Sequence, residues 1–289
     1  MLKLKNSLIA SAILTAFLSP LSIAEEAQSA VIDNEATEGE FHDADPRNSN
    51  WRGGIAADHN GQIKLAAGGG QGSATTQTNL LGEYYTESEN FRFRLAHFDA
   101  RFGGVYADLY RLTDLTNMYT AGYMLPLKTA EGTMFFPSVN YTYVDWDVEG
   151  ISDNINTNCR NYGDLENGLC KGIADFGGAN GANVAKILGS DESHMSSLNL
   201  YVLQPWNETH YTVLNANMGK SFDGVEMNVV NLMWLQGIRT HLGDNILNIY
   251  LEVKYDVLQV DSALYNPISG QGSVKSEETV GTIGFDFRF

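Results

Sequence analysis

Val280-Gly281-Thr282-Ile283-Gly284-Phe285-Asp286-Phe287-Arg288-Phe289 is the stretch that decides the fold. Gly281, Ile283, Phe285, Phe287 and Phe289 fall on one face at period two, and Thr282, Gly284, Asp286 and Arg288 fall on the other. A half-buried strand of a soluble sheet alternates in the same way, but it rarely stops on its third aromatic. An outward apolar face flanked by interfacial aromatics is what the final strand of a transmembrane β-barrel requires.

A terminal strand carrying Ile283, Phe285 and Phe287 and closing on Phe289 resembles that of Gram-negative outer-membrane β-barrel proteins. The resemblance implies an outer-membrane location with both termini periplasmic. It also implies contact with outer-membrane lipid and lipopolysaccharide, and reading of this strand by the barrel-insertion machinery. It extends over about 51–289, and only the terminal strand is specific. Small monomeric porins and solitary autotransporter-type barrels fit it equally.

The other end of the chain agrees. Met1 to Ala24 reads as a secretory signal peptide, with Lys3 and Lys5 before an apolar region and Ser22-Ile23-Ala24 as a small-x-small cleavage site. A helical anchor needs about 20 apolar residues, and Pro20 interrupts too early. Glu25, not Cys, stands directly after the cleavage point, which argues against a lipoprotein. Removing the two lysines leaves 16 Lys and Arg against 35 Asp and Glu. So acidic a chain makes nucleic acid an improbable partner, because phosphate binding needs basic clusters. Fourteen Tyr, 13 Phe and 29 Gly against six Pro suit many strands with aromatic girdles.

Counting strands back from Phe289 gives a transmembrane antiparallel up-and-down barrel of twelve strands, or ten if 51–69 is not wall. The strands fall near 51–58, 61–69, 75–87, 90–100, 103–112, 116–127, 132–146, 194–204, 208–220, 225–240, 247–257 and 276–289. Asn60-Gly61 marks a hairpin. The two long connections, an irregular 147–193 and 260–275, both fall on the extracellular side without being forced there. Two details stay open. In 225–240 either Val230, Leu232 and Trp234 or Val229, Met233 and Leu235 meet lipid; and Phe98 breaks the parity of Phe91, Phe93 and Leu95, which suggests a bulge.

The domain plan is therefore a signal peptide over 1–24, an acidic segment over 25–50 and the barrel over 51–289. Residues 25–50 carry eight acids and one Arg. They read as a disordered periplasmic tail, or as a plug that enters the lumen and pairs with Arg92, Arg94 or Arg101. Cys159 and Cys170, with ten residues between them in an exported chain, are most simply a disulfide, closing a ring worth about 3 kcal/mol. The chain lacks the ligand set for zinc or an EF-hand, so no metal and no cofactor is expected.

No catalytic residue is assigned. His194 and Ser196 share a strand face, which leaves an outer-membrane hydrolase as a second alternative, but no orienting acid or oxyanion motif accompanies them. The lumen offers more. Its selectivity candidates are Arg92, Arg94, Asp99, Arg101, Asp108, Glu252, Lys254 and Asp256, with Glu83 and His97 also inward. Charged ladders in a narrow lumen select small solutes. The same charges can instead pair and fill a closed interior. The expected function is a narrow diffusion channel for small hydrophilic solutes, with a structural or surface-recognition barrel, or an autotransporter-like one, as the alternative.

Overall fold

Side chains that alternate apolar and polar along a strand force a sheet to separate two environments, and in lipid such a sheet must close so that no edge is left unpaired. The computed structural model describes residues 31–32, 41–161, 180–261 and 273–289. Six shorter strands come first: β1 (Arg52–Asp58), β2 (Ile63–Gly72), β3 (Thr76–Tyr85), β4 (Phe91–Asp99), β5 (Gly103–Leu112) and β6 (Thr116–Met124). Six longer ones follow: β7 (Met134–Trp146), β8 (Glu192–Pro205), β9 (His210–Gly224), β10 (Glu226–Leu242), β11 (Asn245–Asp261) and β12 (Ser273–Arg288). Every strand pairs antiparallel with its neighbour, and β12 returns to β1, with Phe285 opposite Ile55 and Arg288 opposite Arg52. The wall is a closed twelve-stranded up-and-down barrel, with 51–69 supplying two of the strands.

The register sorts the faces. Leu198 and Met218 are cross-strand partners and are 66% and 61% exposed. Residues of that size are outward-facing wall, not core, as are Phe93, Leu95, Tyr119, Val139, Leu251, Ile283 and Phe285. On β10 the pairs Trp234–Leu214 and Trp234–Val253 put Val230, Leu232 and Trp234 outside and turn Val229, Met233 and Leu235 inward. The bulge expected at Phe98 is not there. β4 pairs without interruption from Tyr84–Phe91 to Thr76–Asp99, and Phe98 faces the interior over Gly104.

The links at the end holding both Arg52 and Arg288 are short, apart from Leu125–Thr133 between β6 and β7. Gly243, at φ 64, turns β10 into β11 there, in a conformation an L side chain resists. The connections β7–β8 and β11–β12 leave from the opposite end. Because β7–β12 have 13 to 17 residues and β1–β6 only 7 to 10, that opposite end is a tall wing beside a low rim. The tall wing's inner surface is apolar, with Val225, Met227, Leu258 and Val260. It needs cover, and this is why the connection expected to be irregular over 147–193 contains helices. α1 (Val148–Asn161) and α2 (Gly181–Leu188) lay Val148, Ile151 and Leu188 on it. The Asn180 side chain caps α2 by accepting from the Asn183 amide at 2.9 Å. The signal peptide and the Cys159–Cys170 disulfide expected from the sequence lie outside the described side chains.

Candidate functional site

The site is the lumen, and it has a floor. Val31–Ile32 pairs with Leu127–Lys128, which in turn pairs with β7, whereas the barrel wall begins at Arg52 of β1. In a ring of twelve strands β1 and β7 are diametrically opposed. Residues 41–50 cross the barrel mouth inside the wall.

The crossing segment meets strands on all sides. Asp43, 4% exposed, takes Arg288 at 3.1 Å, Arg239 at 3.2 Å and the Asn248 amide at 3.4 Å, and its own carbonyl accepts from Arg52 at 2.6 Å. The Tyr201 hydroxyl donates to the Ala44 carbonyl at 2.5 Å. Asp45, 1% exposed, holds Arg47 at 2.8 Å, and the Arg47 guanidinium lies over the rings of Phe41 and Phe136. On the far wall Asn79 donates to the Pro46 carbonyl at 2.7 Å, and the Gly70 amide donates to the Ser49 carbonyl at 2.7 Å. Beneath this polar seam sits an apolar cluster of Met134, Phe136, Leu203, Tyr211 and Val213, with Ala44 packed on it. A buried carboxylate held by two guanidinia and an amide is a well-satisfied charge. Residues 41–50 form a docked plug.

His42 is part of the same seam. Its ring stands edge-on to Tyr211 at 4.6 Å, and its Nδ1 accepts from the Ala44 amide at 3.1 Å, which fixes the neutral tautomer. Burial lowers the imidazole pKa, outweighing Asp43 and Asp45, which raise it, while Arg239 adds to the lowering.

Above the plug the wall is two-sided. From β11 round to β5 it is charged: Lys254–Glu252 at 3.0 Å, Lys64–Glu83 at 3.5 Å, and Asp108 shared by Arg92 at 2.5 Å and Arg94 at 3.0 Å. From β5 to β10 it is amide and hydroxyl. Tyr106 donates to Asn140 at 2.5 Å, Asn140 to Ser197 at 3.1 Å, and Thr120 pairs with Thr142 at 2.8 Å. Asn217 donates to Asn231, and Asn231 to Asp256 at 2.8 Å, closing the ring back onto the charged side.

Six of the eight selectivity candidates therefore line the lumen: Arg92, Arg94, Asp108, Glu252, Lys254 and Asp256. Asp99 and Arg101 do not. They pair with each other at 2.7 Å in the exposed turn between β4 and β5, and His97 faces outward beside Thr78. The reason is Phe98: with no bulge, the parity that turns Arg92 and Arg94 inward turns His97 and Asp99 out. The plug's partners are accordingly Arg52, Arg239 and Arg288, not Arg92, Arg94 or Arg101. Lys64 is a further lumen residue outside those eight, and its place opposite Tyr85 gives it the parity of Glu83. The hydrolase pair lies on the exterior. His194 takes the Tyr141 hydroxyl at 2.6 Å within an outer aromatic group that includes Tyr143 and Phe222, and Ser196 is exposed on the same face.

A closed up-and-down barrel with an apolar exterior and a polar, charge-lined interior is a barrel of the outer-membrane class. Its family within that class is not identified: no family model matches the chain, and no curated protein matches it significantly. Among solved structures it is similar to the NanC porin, at 11% identity over 83% of this chain and 99% of that one, with a TM-score of 0.38. It is also similar to the β domain of the Bordetella autotransporter BrkA, at 9% identity over 83% of this chain and 96% of that one, with a TM-score of 0.31.

Proposed function

We propose that the protein is a narrow outer-membrane channel for small hydrophilic solutes, shut at rest by residues 41–50, with both termini periplasmic. The observation that carries this reading is the docking of Asp43 between Arg239 and Arg288 at the mouth of a lumen lined by Arg92, Arg94, Asp108, Glu252 and Lys254. A barrel whose only task is to stand in the membrane gains nothing from a polar lumen closed by a separate segment held through ion pairs. An apolar filling would be as stable or more so. Paired charges on one wall and amides on the other give a small solute successive weak partners, which a conducting path needs.

Liposome swelling tests the proposal. Vesicles carrying the full mature chain should admit small sugars and amino acids slowly, and vesicles carrying Asp43→Ala should admit them several-fold faster. Equal, background-level swelling for both folded proteins would leave a closed structural barrel as the better account.

A further inference from the structure

The Asp43 carboxylate is held almost entirely by the wall. Apart from Asn48 at 3.5 Å, its partners among the described residues are Arg288 at 3.1 Å, Arg239 at 3.2 Å and the Asn248 amide at 3.4 Å. A fourth wall donor, Arg52, reaches the Asp43 main-chain carbonyl at 2.6 Å. These donors stand on β10, β11, β12 and β1, consecutive strands across the closing seam, with Arg239 opposite Asn248 and Arg288 opposite Arg52. The barrel builds a site for acceptors, and the plug fills it with one of its own residues.

That site depends on the plug for its counter-charge. Among the described residues Arg239 and Arg288 form ion pairs with Asp43 alone, and Arg52 forms none. Asp286 lies on the same face of β12 as Arg288 but is ion-paired with none of the three among those residues. With the plug gone, three guanidinia face at most one carboxylate, which leaves at least two positive charges without a partner. They are within reach of a solute, since the Arg239 and Arg288 side chains are 27% and 22% exposed even with the plug docked. An anion that takes the place of Asp43 stabilises the undocked state by mass action.

The shape of that anion follows from Asp43 itself. Its carboxylate and its main-chain carbonyl are joined through Cα and Cβ, which is the carbon skeleton of succinate. We infer that the site made by Arg52, Arg239, Asn248 and Arg288 binds a C4 dicarboxylate of the succinate type, and that this solute displaces the plug. One carboxylate replaces that of Asp43 between Arg239, Arg288 and Asn248. The other replaces the Asp43 carbonyl on Arg52, where a charged oxygen is a stronger acceptor than a neutral one. The inference rests on the gated-channel reading and names the class of solute that opens the gate.

Two measurements on the full mature chain in detergent test it. In the unaltered protein, succinate should raise tryptic cleavage after the buried Arg47 several-fold above sulfate at the same ionic strength. Butyrate, with a single carboxylate, should do no more than sulfate. In Asp43→Ala, which vacates the site, ¹³C-labelled succinate followed by NMR should saturate and bind at least tenfold tighter than butyrate. Adding Arg239→Gln should weaken succinate at least tenfold, and adding Met218→Ala on the outer wall should leave it unchanged. Because the cleavage series uses the unaltered protein, a variant that fails to fold does not blur the result. Cleavage that ignores succinate, or that rises equally with sulfate through charge screening, overturns the inference, and so does butyrate binding as tightly as succinate. Succinate binding by an Asp43→Ala protein that passes no solute would sink the channel and uphold the site; flux without succinate binding would do the reverse.

Discussion

Asp43 and Arg288 stand 245 positions apart in sequence and 3.1 Å apart in space, so the segment ahead of the first strand is fastened to the end of the last one. Arg239 reaches the other oxygen of the same carboxylate at 3.2 Å. The docked Asp43 spans the closing seam, because Arg288 comes from β12 and Arg52, which donates to its carbonyl, from β1.

Replacing Asp43 with Ala should undock the plug without opening the wall. The variant leaves Arg239 and Arg288 without their carboxylate, a loss on the order of 3–5 kcal/mol. Limited proteolysis of folded, detergent-solubilised protein should then cut within 41–50, which in the unaltered protein should resist.

Acid should act in the same direction through His42. Burial against Tyr211 holds the docked imidazole below its ordinary value, so the undocked segment takes up the proton first. Docking is therefore at full strength above the ordinary value of about 6.5 and weakens as the pH falls from there towards the docked value. Cleavage of 41–50 should rise between pH 7.5 and 5, and His42→Gln, which cannot take a proton, should flatten that part of the profile.

Asp108→Asn should change selectivity. It leaves the Arg92 and Arg94 guanidinia facing the lumen without the carboxylate they now share at 2.5 and 3.0 Å. Reversal potentials in a salt gradient should shift towards anions, most clearly in a background that lacks the plug.

Phe136→Ala should loosen the floor. Phe136 is fully buried between the plug's Arg47 and the Met134–Leu203 cluster, and emptying such a site costs about 3–5 kcal/mol. Thermal unfolding followed by gel mobility should report a lower transition for the barrel and easier cleavage of the plug.

Phe289→Ala separates folding from delivery. Phe289 is 74% exposed, and its amide donates to the Trp51 carbonyl at 3.2 Å. The refolded variant should be as stable as the unaltered protein in detergent, while its assembly in the cellular outer membrane should fall sharply.

The wall was legible because lipid outside and water inside impose one rule on every residue. Leu198, Met218, Leu251 and Phe285 obey it, and the count of twelve follows from them. The rule fails where the interior is not polar. Phe98 breaks the alternation because it faces inward over Gly104, and β10 reads either way because the floor at the plug and the wall beneath the helices are both apolar inside, with Met233, Leu235 and Val229 facing in. A bulge at Phe98 would put Asp99 and Arg101 in the lumen, and an undecided face on β10 leaves Arg239, the plug's partner, without an assigned side. The acidity of 25–50 is plain in the sequence, but the place of Asp43 depends on Arg52, Arg239 and Arg288, which only the closed barrel brings together. The helices over 148–161 and 181–188 are hidden for a similar reason, since much of the apolar surface they cover comes from Val225, β10 and β11, far along the chain.

Single-channel recording in planar bilayers puts the central claim to the most direct test. The full mature chain should show rare, brief openings, and the same chain lacking 25–50 should show sustained steps of one uniform, several-fold larger conductance. Identical traces from the two folded proteins would contradict the account, because residues 41–50 would then not be what closes the lumen.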